Sequence, residues 1–130
     1  MLWEEANEIQ KFTDSPIGDD ISEVERRGNR LNSYISRTGK MYADAREILN
    51  NAKKGDIIQS LERYVIQGDA PKMAINELVK SLCAKEQALV DWCGRLNSTC
   101  VHQLDWCRSL LSKYKEELRM NTFGGGGNEV

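Results

Sequence analysis

Residues 21–52 read ISEVERRGNRLNSYISRTGKMYADAREILNNA. Ile21, Val24, Gly28, Leu31, Ile35, Thr38, Tyr42, Ala45, Leu49 and Ala52 recur alternately three and four residues apart. That spacing brings a side chain back to one face on every turn of an α-helix, as in a heptad seam. It predicts one helix over about 20–54, roughly 50 Å long at 1.5 Å per residue. Asp19 or Asp20 offers an N-cap, with Asp20–Glu23 or Ser22–Glu25 as a capping box. Lys53 and Lys54 suit the negative end of the helix dipole, and Gly55 suits the position just past it.

Upstream, Leu2, Ala6 and Ile9 line a short helix, with Trp3 beside them. It should stop near Thr13, because Asp14-Ser15-Pro16-Ile17-Gly18 is a cluster of turn formers. Downstream, Asp56 can cap a short helix carrying Ile57, Ile58, Leu61, Tyr64 and Val65, which Gly68 ends. Asp69-Ala70-Pro71 then opens a second long helix. Its apolar stripe runs from Ile75 through Leu82, Leu89, Cys93, Cys100, Cys107 and Tyr114 to Leu118, so it should span about 71–119. Gly94 is its weak point, at ~1 kcal/mol relative to alanine.

The expected fold is therefore all-α, an elongated antiparallel bundle of two long helices and two short ones. Residues 1–120 form one helical domain and 121–130 a flexible glycine-rich tail. Helices this long leave more seam than 130 residues easily cover, which favours a homo-oligomer.

Bulk properties narrow the class. Net charge is −2, so no global basic bias draws the chain to nucleic acid or membrane. No apolar run reaches the ~18 residues of a membrane span. The start, MLWEEANEIQ, is acidic and amphipathic rather than a secretory signal, so the four cysteines are expected as reduced thiols in a cytoplasmic protein. Charge is uneven: residues 1–25 hold eight acidic side chains against Lys11, whereas 26–43 hold Arg26, Arg27, Arg30, Arg37 and Lys40 with no acid. Either the acidic arm folds against the basic stretch, or the basic side chains meet a phosphate backbone or an acidic partner.

Chemistry concentrates in DWCGRLNSTCVHQLDWC, Asp91 to Cys107. Cys93, Cys100, Cys107 and His102 have the right atoms for zinc and the wrong spacing. Seven residues of helix separate neighbouring thiols by ~10.5 Å, too far to share one ion. No Cys–His pair shares a face, and no carboxylate pair or phosphate loop has a catalytic spacing. No metal, cofactor or catalytic residue is therefore expected. The cysteines read instead as small apolar seam residues that let another helix approach. Beside them runs a second stripe with Trp92, Arg95, His102 and Trp106, the two tryptophans nearly in line and ~21 Å apart. That stripe suits a contact with another protein. The alternative is single-stranded nucleic acid or a nucleotide stacked on the tryptophans. Arg26, Arg30, Arg37, Lys40 and Lys113 would then supply the phosphate contacts.

Two stretches carry a resemblance. NSTCVHQLDWCR (97–108), followed by SKYKEE (112–117), resembles the C-terminal signature of small uncharacterised helical proteins of bacteria and their tailed phages. YADAREIL (42–49) is similar to a second signature of that group. The resemblance covers about a third of the chain. It implies a cytoplasmic accessory protein of a phage or mobile element and carries over no catalytic residue.

Overall fold

The computed structural model describes residues 1–68 and 71–128, with side chains through Thr122. Its elements are α1 (Leu2–Asp14), α2 (Ile21–Lys53), α3 (Asp56–Ile66), α4 (Lys72–Leu82) and α5 (Ala84–Asn128). The fold is all-α, with no strand among the described residues. None of those helices is long and apolar enough to cross a membrane.

The α2 boundaries follow local chemistry. Asp20 caps the start, its Oδ1 accepting from the Glu23 N–H at 2.8 Å. The seam is as expected, with Val24, Leu31, Thr38, Ala45 and Leu49 buried and Gly28, Ile35 and Tyr42 half-buried beside them. Arg27 and Met41 are buried as well, because α1 covers the flank they occupy.

The second long helix is where expectation and structure part. It turns at Cys83, whose φ of −103° and ψ of 17° leave the helical range, although its N–H still reaches Val79 O at 3.0 Å. Neither proline nor glycine causes the turn. The antiparallel register of α2 and α5 does explain its place. Gly28 lies against Leu104 and Cys107, Gly39 against Asn97, and Gly94 against Tyr42. In that register the end of α2 falls at the turn: Leu49 and Lys53 share a groove with Cys83 and Gln87. A straight rod would have carried residues 72–82 past the end of their neighbour. The bend instead stands α4 beside α3, with Val79 packed on the core. At its other end α5 continues to Asn128 instead of stopping near Arg119. Asp69 and Ala70, expected to open the helix, lie outside the described residues, as do the side chains of the tail from Phe123 on.

α1 lies in the groove between α2 and α5. It runs with α5, from Trp3 beside Trp92 to Thr13 beside Gln103, and against α2. The shared interior holds Ala6, Ile9, Val24, Leu31, Met41, Cys93, Leu96, Cys100 and Cys107, none more than 2% exposed. Polar pins fix the register. Asn97 Nδ2 donates to Ile35 O and Thr38 Oγ1, both at 3.0 Å, and the Tyr114 hydroxyl donates to Asp19 O at 2.8 Å.

Candidate interaction site

The three seam cysteines are fully buried inside their own chain, facing α1 and α2. They build this bundle and present nothing to a second molecule. Burial pushes all three thiols up from their usual range. The Arg27 charge partly offsets this at Cys100 and Cys107, while Glu5 adds to it at Cys93. A thiol held protonated is a poor nucleophile and a poor ligand. Among the described residues no three His, Cys, Asp or Glu side chains come together as a metal site would require.

The second stripe is divided. Trp92 is half-buried: its Nε1–H donates to Gln10 Oε1 at 2.9 Å, and its ring meets Trp3 with centroids 5.5 Å apart. Trp106 is 58% exposed. The length of α1 makes the difference, because that helix ends against Gln103, one turn short of Trp106. Arg95 and His102 are exposed. Arg95 borders a shallow groove with Tyr42, Asp91, Gly94 and Ser98. The four residues therefore do not form one open platform.

The basic set is also divided. Arg37 pairs with Glu5 of α1, its Nη2 donating to Oε2 at 2.6 Å, and this bond holds the Glu5 carboxyl below its usual range. Lys40 Nζ lies 2.8 Å from Asp44, and Lys113 lies 4.0 Å from Glu117. Glu5 of the acidic arm thus meets the basic stretch at Arg37. Arg26 and Arg30 remain exposed.

Two features were missed from sequence. The first is Arg27, 8% exposed and wrapped around the C-terminus of α1. Its Nη1 donates to Ser15 Oγ at 2.8 Å. Its Nη2 donates to Ser15 O at 3.0 Å, Thr13 O at 3.3 Å and Gln103 Oε1 at 2.8 Å. Gln103 Nε2 in turn donates to Thr13 O at 2.8 Å. Gln103 stands where Leu89, Leu96 and Leu110 recur every seven residues; it is the polar link joining three helices, and that break in the leucine repeat was the available signal.

The second is the α3–α4 pair. Each helix has 11 residues, and each has a single buried apolar side chain, Ile58 and Ile75. Ile57, Tyr64, Ile66, Met73, Leu78 and Leu82 are exposed, from 44% at Leu78 to 85% at Ile66. The signal was apolar residues on more than one face of two short helices. Six large apolar side chains on so small an element exceed the scattered exposure of an ordinary surface.

What fold and surface define is an all-α bundle whose thiols are buried and whose open surface is apolar at one end. No family model matches the chain, and no similar curated protein or solved structure was found.

Proposed function

We propose that the protein is a non-enzymatic interaction protein that self-associates and holds a further protein chain through the α3–α4 hairpin. In this reading α1, α2 and α5 are the scaffold and the hairpin is the contact. The observation that carries it is the exposure of Ile57, Tyr64, Ile66 and Met73 on two helices too short to be stable by themselves. The resemblance of residues 97–117 adds the setting, a cytoplasmic accessory protein of a phage or mobile element. The single-stranded nucleic-acid reading has less support. Of its stacking pair Trp106 alone is open, and Arg37 and Lys40 already face carboxylates.

Light scattering and cross-linking across micromolar concentrations test the proposal. A concentration-dependent oligomer that Ile66→Glu/Met73→Glu abolishes without lowering thermal stability is the expected result. A strict monomer would remove self-association. A pull-down from host cells with nuclease-treated and untreated arms then tests the further partner. Recovery that depends on intact nucleic acid would favour the other reading.

A further inference from the structure

At the opposite end of the scaffold, where α1 passes into α2, a buried cation meets no anion among the described residues. The four acceptors around Arg27 are two main-chain carbonyls, a hydroxyl and an amide oxygen, all neutral. Its guanidinium rests 4.3 Å above the centre of the Phe12 ring. Its Nε–H is buried with no acceptor among the described residues. Burying a charge without a counter-charge is costly, and desolvation indeed pushes Arg27 below the usual guanidinium range. The carbonyl end of α1 supplies about half a negative charge by its dipole, which offsets Arg27 in part.

Arg27 does not stand alone. With Arg26 and Arg30 it lines an open pocket of roughly 570 Å³, shared with Phe12 and Glu23. Among the described residues neither exposed arginine meets a carboxylate. Arg26 Nε reaches Ser22 O at a long 3.4 Å, and Arg30 lies over the Tyr34 ring at 5.4 Å. This is unlike Arg37, Lys40, Arg108 and Lys113, each of which has an acid beside it. Three guanidiniums against one carboxylate leave the pocket formally at +2. The buried member contributes a field that salt screens weakly.

We propose that this pocket binds the dianionic phosphoryl group of a small phosphate ester. A phosphoryl group carries about −1.5 to −2 charges at neutral pH, which matches the excess. Exposed guanidiniums meet phosphate oxygens in paired hydrogen bonds, which suits a phosphoryl group lying in an open surface pocket. Arg26 and Arg30 make the contacts from the rim. Arg27 supplies charge from the floor and stays with its own acceptors. Glu23 sets the limit on affinity, since its carboxylate repels the same ligand. The inference is independent of what the α3–α4 hairpin holds.

Titration of the full chain, followed by calorimetry and by the arginine Nε–H resonances in NMR, tests it. Inorganic phosphate, glycerol 3-phosphate and adenosine monophosphate are the probes, at constant ionic strength with chloride as the control. Saturable binding of at least one ester is expected, with shifts at Arg26, Arg27 and Arg30. The double variant R26Q/R30Q should weaken it at least about tenfold, and Glu23→Gln should strengthen it. Both variants change exposed side chains and should keep the parent's thermal unfolding. If only inorganic phosphate binds, the source is the free ion and the ester assignment falls. Absence of saturation up to roughly 10 mM, an equal response to chloride, or undiminished affinity in R26Q/R30Q overturns the site. So does a single-stranded oligonucleotide that binds more tightly than every ester.

Discussion

The three-helix section and the α3–α4 hairpin are both made of amphipathic helices, yet they bury very different shares of their apolar side chains. In the section formed by α1, α2 and α5, the seams of the two long helices close on each other, and α1 covers the groove between them along its thirteen residues. Polar side chains link its helices, as Asn97 does with Thr38 and Gln103 with Arg27. In the hairpin each helix has a single buried apolar residue, and Ile57, Tyr64, Ile66, Met73, Leu78 and Leu82 face solvent. Helical periodicity therefore marks a face without saying whether the chain owns enough other surface to cover it. Stability should reside in the first region and recruitment in the second.

The largest effect expected is a contrast in unfolding free energy. Leu31→Ala or Leu96→Ala removes a side chain no more than 2% exposed and should cost about 2–5 kcal/mol in urea unfolding. Ile57→Ala or Ile66→Ala should stay within about 0.5 kcal/mol. Equal losses in the two regions would break the distinction. Next comes Arg27→Met, which leaves the Ser15 carbonyl and the Gln103 amide oxygen without their donor and should cost about 2–3 kcal/mol, against little change for its exposed neighbour Arg26→Gln.

Alkaline pH sharpens the same divide. Cys93, Cys100 and Cys107 hold their protons more tightly folded than unfolded. The unfolded chain therefore loses those protons first. Stability should be flat at neutral pH and fall as pH rises past the ordinary thiol value of about 8.5. Urea midpoints from neutral to alkaline pH check this, and native thiols should resist alkylation at neutral pH.

The glycines give a smaller test. A Cβ at Gly28 would sit 3.7 Å from Leu104 Cδ1, an ordinary contact, so Gly28→Ala should stabilise by about 0.5–1 kcal/mol through helix propensity. A Cβ at Gly94 would come to 3.2 Å from the Tyr42 ring, so Gly94→Ala should gain less or nothing. Smallest of all is the exposed Arg37–Glu5 pair. Glu5 is held ionised by Arg37, so any stability it adds is present above the usual glutamate range and lost as pH falls through the lowered folded value. Arg37→Gln should narrow that acid dependence, and high salt should erase the difference.

Sequence and structure agree where a property is local. The α2 seam, the Asp20 cap and the end of α3 at Gly68, with its φ of 78°, all depend on nearby residues. The cysteine spacing likewise marked the packed face on which Cys93, Cys100 and Cys107 are buried. What escaped depends on distant lengths. The turn at Cys83 is set by where α2 ends, and the difference between Trp92 and Trp106 by where α1 ends. Arg27 looks like its neighbours in a basic run until Thr13 and Ser15 arrive from another helix. The open face of the hairpin follows from what is missing opposite it, and an amphipathic pattern does not record that.

The register pins have a consequence for how such a chain can change over generations. Between Arg27 and Thr38 of α2 the opposing pins are Gln103 and Asn97 of α5. One inserted residue in that span would rotate everything beyond it by about 100° and carry a pin away from its partner. Lengthening there is tolerable in whole heptads and has to be matched by an equal insertion in α5. The stretch from Lys115 to Thr122, exposed throughout and pinned to no other helix among the described residues, carries no such constraint. Related chains should therefore vary in length freely past Tyr114 and in paired steps of seven within the pinned span.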